Sequence, residues 1–353
     1  MTVTRDDTLR LVAARVDEVL DELQRTWEEV AGRGADVLGK RDLPWLVRTA
    51  NGGGKRLRPE MVHWGWVAAG APEDAHGDVV DLGAAIELLH LFALIHDDVM
   101  DRSEMRRGQV TSHALARDTH RAAGAHGDPV AFGDAIAVLA GDLVLTEAGH
   151  LVAPLPSNVR ASWRLMMVEL VLGQRRDLTG AASGRRDLDH ALEVARLKSG
   201  AYTVTGPLRM GAQLGGADVQ LLDALAGYSW HAGEAFGLRD DVLGLWGDPA
   251  RTGKSVEDDL ATGKATVLLA LAEPRLGSRG RGLLARTGDG TLGPEELQEL
   301  RDEMAACGVR DLVEDMIADE VEQACAALVD ARITGEGLDG LVDVVRRMAW
   351  RQA

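Results

Sequence analysis

Two pairs of adjacent aspartates are the residues in this sequence best equipped for chemistry. In His96-Asp97-Asp98-Val99-Met100-Asp101, Asp97 and Asp101 stand four apart, and on a helix they share one face. Carboxylates so spaced repel unless a cation sits between them. Hard cations such as Mg²⁺ take oxygen ligands and keep water and substrate phosphates in their shell, so the spacing suits a Mg²⁺–diphosphate clamp. A solvated acidic helix end is the plainer alternative. Against it, Leu88, Leu89, Leu91, Phe92, Leu94 and Ile95 precede the acids, and an apolar helix that ends in carboxylates aims them at a cavity mouth more readily than at bulk water. Phe236-Gly237-Leu238-Arg239-Asp240-Asp241-Val242-Leu243-Gly244 repeats the theme. Two facing helices of this kind can build a shared metal site from inward carboxylates.

Basic residues accompany the acids. Gly52-Gly53-Gly54-Lys55-Arg56-Leu57-Arg58-Pro59 reads as a flexible turn feeding a helix, with Lys55 and Arg58 three apart and able to grip one diphosphate, aided by backbone amides at the helix start. His90 lies two turns before Asp97 on the same face, as a diphosphate contact or a core histidine. Arg106-Arg107-Gly108 offers guanidinium forks that match phosphate oxygens, or salt-bridge partners for the nearby aspartates. Lys254 and Lys264 bracket a loop after the second acidic pair and could close over a diphosphate or be solvated. The run Gly247 to Ser255 imitates a nucleotide-binding P-loop, but five residues separate its glycines where four are required, and no strand precedes it.

The elements that must carry these groups read as helices. Leu, Ala and Val dominate, and alternating strand patterns are absent. The N-terminal twenty residues read as a first amphipathic helix and lack the apolar stretch of a signal peptide. Asn51 to Gly54 ends an early helix, and Pro59 can start the next. Asp78 to Asp101 reads as one buried helix. Asp118 to Gly133 reads as a loop, as do Gly247 to Gly263 and about Gly277 to Gly293, and Pro154-Leu155-Pro156 is a break. With 353 residues, 46% of them apolar, and no composition shift, the expectation is a single all-α domain over 1–353. No apolar run is expected to reach the ~18–20 residues of a membrane span. The net charge of −17 opposes nucleic-acid binding. Cys307 and Cys325 have neither disulfide nor metal spacing, which fits small core residues in a cytoplasmic protein.

Taken together and in order, these motifs resemble the trans-isoprenyl diphosphate synthases. The resemblance rests on Gly53 to Pro59 (GGKRLRP), on the Leu-Leu-His…His-Asp-Asp run ending in Asp101, and on Met105 to Gly108. It continues through Leu139 to Asp142, Gly173 to Leu178 (GQRRDL), Lys198 to Tyr202 (KSGAY), the second aspartate pair, and the stretch to Lys264. It is most similar to actinobacterial geranylgeranyl diphosphate synthases. The resemblance implies an all-α fold of antiparallel helices around a central cavity, usually in a homodimer. It implies that Lys55, Arg58, His90 and Arg107 bind isopentenyl diphosphate, and that Asp97, Asp101 and Asp240 hold three Mg²⁺ on an allylic diphosphate. Arg106, Lys198, Lys254 and Lys264 would bind that diphosphate, with Ser199 keeping a hydroxyl where threonine is common. Gln174 and Asp241 would support the site, and Asp98 completes the first acidic cluster. Gly237 and Gly244 depart from the family, where glutamine and a third aspartate are common, and remove possible polar contacts.

The activity implied is condensation of isopentenyl diphosphate with dimethylallyl, geranyl or farnesyl diphosphate to a linear product. In such enzymes the residues four and five before the first aspartate, here Ala93 and Phe92, line the floor of the product tunnel. A large Phe92 beside a small Ala93 implies growth to about twenty carbons, unless Phe92 is only a core aromatic. Two other classes stay open. One is a non-catalytic subunit of a heteromeric prenyltransferase, favoured by Gly237 and Gly244. The other is a class I terpene cyclase, disfavoured by the missing Asn-Asp…Ser…Glu motif.

Overall fold

A computed structural model describes residues 3–31, 37–52, 54–248, 260, 263–329, 331, 333 and 335–352. They fold into helices joined by short turns, with one two-residue antiparallel ladder. The chain divides into two compact units, Met1–His63 with Glu73–Arg160, and Trp64–Pro72 with Ala161–Ala353.

In the first unit, α1 (Arg5–Ala31) buries Val12, Val16, Val19, Leu20 and Leu23, a stripe at helical spacing. Helix α2 (Leu43–Ala50) begins at Asp42, whose carboxylate accepts from the Leu43 amide and so satisfies an otherwise orphaned donor. Helix α3 (Leu57–Ala68) carries Pro59 in its first turn, where a missing N–H costs nothing. The long α4 (His76–Met100) buries Val79, Leu82, Ala85, Ile86, Leu88 and Leu89 and packs on α1 and on α6 (Pro129–Val152). Helix α5 (Ser112–Ala122) also lies on α6.

In the second unit, α7 (Ser157–Ser183) precedes α8 (Leu188–Val194), which runs into a π-helical segment, Ala195–Thr205, and then α9 (Gly206–Leu214). Helix α10 (Val219–Trp246) is the spine. It packs on the π-helical segment, on α14 (Val309–Ala327) and on α15 (Gly335–Ala349). The buried Arg239 forks onto Glu314 of α14 and donates to the Ala349 carbonyl, while Tyr228 donates to Leu341 O at 2.8 Å. A buried guanidinium needs such full pairing to be tolerated, so Arg239 fixes α14 and the end of α15 against the helix that carries Asp240. The shorter α11 (Val267–Ala272), α12 (Ser278–Leu284) and α13 (Pro294–Ala306) complete the unit.

Several expectations need correction. Residues 118–133 are mostly helical, because Asp128 accepts from the Val130 amide and Pro129 opens α6. Helix α12 interrupts the glycine-rich stretch after Gly277. A two-residue ladder joins Met105–Arg106 to Gln109–Val110. Two segments, residues 73–100 and Pro129–Val152, are long and apolar enough by composition to cross a membrane; apolarity without contiguity hid them in the sequence. Most of the first is buried. Most of the polar stretch from Gly247 to Gly263 lies outside the described residues.

Candidate active site

The first aspartate cluster occupies the C-terminal end of α4, with Asp101 as the cap residue. The last turn of that helix contains no basic residue. Carboxylates at the negative end of a helix dipole are unfavourable, so this terminus calls for cations from elsewhere. One comes from the hairpin that follows. Arg106 donates from Nε to Asp98 Oδ1 at 2.6 Å, and its Nη2 stands 3.6 Å from Asp97 Oδ2. The Asp98 side chain is only 9% exposed. The intervening loop is fixed by Ser103 N to Asp98 O at 3.0 Å and Thr111 Oγ1 to Ser103 O at 2.8 Å.

Arg107 and Gly108 form the two-residue turn of that hairpin, both with positive φ (50° and 75°). Such turns favour Asn, Asp and Gly at their centre. Arginine in the left-handed region is strained, and strain of this kind collects at ligand clamps. Arg56 (φ 48°) and Arg102 (φ 57°) share it, so three arginines of this unit are held in a costly backbone. Arg107 donates back to Gly52 O at 3.4 Å, which ties the hairpin to the turn that carries Lys55. Lys55 itself is exposed.

His90 is half-buried, two turns before Asp97 on the same face of α4. Burial, then Arg58, Arg107 and Arg106, hold its imidazole well below the ordinary range, so His90 is neutral near pH 7. One turn earlier lies Glu87, which the motifs do not single out. Burial raises its carboxyl above the ordinary range while Arg58, Arg56 and Arg107 pull it down. Only its place one turn before His90 could have flagged it. One helix face thus carries an arginine-rich, anion-demanding segment at His90 and a cation-demanding segment at Asp97, about 10 Å apart along the axis at 1.5 Å per residue. Phe92 lies off this face, its ring centroid 4.6 Å from that of His96. Ala93 is half-buried beside it.

In the second unit Lys198 and Ser199 sit in the π-helical segment, both half-buried. Lys198 Nζ lies 2.7 Å from Asp177 Oδ2. Gln174 lies on α7 three residues before Asp177. On α10, Asp240 is exposed and its carboxylate pairs with Arg351 near the C-terminus, whose guanidinium also stacks over Phe236 at 4.2 Å. Asp241 accepts from the Val267 amide at 3.0 Å, so it holds the start of α11. Lys264 is half-buried three residues earlier. Lys254 lies outside the described residues. Gly237 has a packing reason: a Cβ there would stand 3.2 Å from Ala195 Cβ of the π-helical segment. Arg351 and Asp177 went unassigned in the sequence because each shows its role only through a distant partner.

Among the described residues no three of His, Cys, Asp and Glu come together as a metal cage. The donors present are carboxylates, two of them four apart at a helix end. That fits Mg²⁺, which binds through one or two carboxylates and takes its remaining ligands from water and phosphate.

A family model described as polyprenyl synthetase matches residues 45–300. The (2E,6E)-farnesyl diphosphate synthase of Mycobacterium tuberculosis is 36% identical over 266 residues, covering 73% of this chain and 68% of that protein. The geranylfarnesyl diphosphate synthase of Aeropyrum pernix is 35% identical over 236 residues, 64% of this chain and 69% of that protein. Among solved structures, the geranylgeranyl pyrophosphate synthase from Corynebacterium glutamicum, complexed with isoprenyl diphosphate and magnesium, superposes with a TM-score of 0.91 at 33% identity. It covers 99% of this chain and 100% of that one.

Proposed function

Since the chain belongs to the polyprenyl synthetase family, we propose that this trans-prenyltransferase joins isopentenyl diphosphate to an allylic diphosphate and extends the product to twenty carbons. The observation that carries the reading is the face of α4, where neutral His90 among Arg58, Arg106 and Arg107 stands two turns from Asp97 and three from Asp101. One segment asks for an anion and the next for cations, as a reaction between a free diphosphate and a metal-bound one requires.

Lys55, Arg58, His90 and Arg107 hold isopentenyl diphosphate. Being neutral, His90 can donate one ring N–H to a phosphate oxygen without adding charge that would raise repulsion among the arginines. Arg106, Lys198, Lys254 and Lys264 bind the allylic diphosphate, and Ser199, Gln174 and Asp241 support them. Asp97, Asp101 and Asp240 are the residues that would hold Mg²⁺, in three ions. Bound Mg²⁺ supplies Lewis-acid neutralisation of charge on the departing diphosphate. The arginines and lysines add fixed positive charge where the C–O bond breaks. Positioning the two substrates then brings the double bond of one to the allylic carbon of the other, forming the C–C bond. The released diphosphate accepts the proton that leaves the new cation. The apolar residues of α4 exclude water that would quench the cation.

The relatives make products of different length, so the twenty-carbon assignment rests on Phe92 with Ala93. We propose a cytoplasmic homodimer. Its support is two sets of exposed apolar side chains, Val130, Val138 and Leu139 on α6 and Leu165, Val168, Val171 and Leu178 on α7, which a second copy would cover. Incubation with isopentenyl diphosphate, each allylic starter and Mg²⁺ tests the reading. Linear C20 diphosphate on chromatography is expected, lengthened in Phe92→Ala. Cyclic hydrocarbon, or no turnover without an added subunit, overturns it.

A further inference from the structure

The π-helical segment Ala195–Thr205 is gripped from both sides. On one side, Gly173 of α7 presses against its backbone: a Cβ at Gly173 would stand 2.5 Å from Lys198 N and 2.8 Å from Leu197 C. On the other, Gly233 of α10 abuts Gly200, where a Cβ on Gly233 would stand 3.2 Å from Gly200 Cα, and Gly237 abuts Ala195. A widened π turn does not persist on its own hydrogen bonding and marks functional positions. Here side-chain-free contacts hold it. Four residues after Gly173, one helical turn along the same face of α7, Asp177 reaches the Lys198 ammonium at 2.7 Å. The Asp177 side chain is 9% exposed and the Lys198 side chain 22%. So α7 fixes Lys198 twice, at its backbone and at its charged tip.

We infer that Asp177 is a positioning residue for the reaction, holding the Lys198 ammonium aimed for the allylic diphosphate. The inference rests on the reading of Lys198 as a diphosphate ligand. The Asp177 carboxylate removes freedom from a long side chain that would otherwise be lost on each binding event. A carboxylate beside a diphosphate site is repulsive unless a cation stands next to it, and the cation that Asp177 contacts is the Lys198 ammonium.

The test is a double-mutant cycle on the full-length protein with Asp177→Asn, Lys198→Met and the pair. It is read by calorimetric binding of inorganic pyrophosphate with Mg²⁺ and by steady-state KM for each substrate. Asp177→Asn is expected to weaken pyrophosphate binding and raise the allylic KM about 10-fold or more, leaving the isopentenyl diphosphate KM within about 2-fold. In the Lys198→Met background the same change is expected to add nothing, and Asp177→Glu to restore part of the loss. Equal losses in both backgrounds, or unchanged pyrophosphate binding in Asp177→Asn, overturn the inference. Should wild-type protein bind pyrophosphate with the expected coupling yet make no prenyl product, the proposed reaction fails while the role of Asp177 stands.

Discussion

The two aspartate pairs look alike in sequence and are built differently. Asp97-Asp98 lies at the end of α4, enclosed, with Arg106 across both carboxylates. Asp240-Asp241 lies within α10, where Asp240 has a side chain 49% exposed and faces Arg351. The second aspartate of each pair acts locally, since Asp98 anchors Arg106 and Asp241 accepts from the first amide of α11. The first aspartate of each pair also faces an arginine, Asp97 at 3.6 Å from Arg106 and Asp240 paired with Arg351. A doublet therefore divides labour between holding the site and serving it, and the enclosed doublet does so in the lower dielectric. Charge there is worth more per group. Asp97→Asn or Asp101→Asn should lower kcat/KM about 10³-fold, and Asp240→Asn nearer 10²-fold. Steady-state assays at saturating Mg²⁺ check this, and a larger loss at Asp240 would reverse the ranking.

Stability should separate the anchoring pair in the same direction. Asp98→Ala leaves the enclosed Arg106 only its longer contact to Asp97 and should cost about 3 kcal/mol. Asp241→Ala removes a helix-start acceptor and should cost about 1 kcal/mol. Urea unfolding of both variants measures the difference, and equal costs would show that enclosure does not matter here.

The units also differ in how pH acts on them. In the first unit, burial holds His63, wholly enclosed beside Thr8 and His76, down to about 4. The unfolded chain then binds more protons than the folded one between pH 6.5 and 4, so stability falls as the solution is acidified through that window. A 2.5-unit difference corresponds to roughly 3 kcal/mol. In the second unit, burial and neighbouring Glu320 push Glu234 up to about 7. There the folded chain holds the extra proton between pH 4.5 and 7, and stability falls as pH rises. His63→Gln should flatten the acid limb of a melting profile and Glu234→Gln the fall toward neutral. Loss of both limbs in one variant would merge the two effects into one.

How far the sequence reaches depends on the range of the forces involved. Helix α4 is legible because its apolar run and terminal acids are local, and the same holds for the break at Pro154 and the end of α2. The 118–133 stretch misled because glycine and histidine content hid a start signal, Asp128-Pro129, and the end of a helix whose buried face runs His113, Ala116, His120. The π-helical register could not be read at all, since it exists through contacts with Gly173 and Gly233 on other helices. Asp177 was visible inside the GQRRDL motif, but its partner lies 21 residues away. Glu87 and the strained Arg107 needed the surroundings of α4 to acquire meaning.

Arg351 is the clearest case of range, 111 residues from Asp240, and it gives the smallest expected effect. Its guanidinium donates to Met348 O at 2.8 Å and stacks on Phe236, so part of its order is independent of Asp240. Because Asp240 is half-exposed, the ion pair itself contributes little after solvent screening. Arg351→Ala should therefore lower stability by about 1 kcal/mol or less, mostly through the lost stacking. If Arg351 and a divalent ion use the same Asp240 oxygen, its removal should also lower the Mg²⁺ concentration for half-maximal turnover, by roughly 2-fold given the weak pair. A higher Mg²⁺ requirement in Arg351→Ala would mean that the arginine holds Asp240 in place for the ion. The exposed doublet would then be organised as the enclosed one is, with an arginine that prepares the carboxylate.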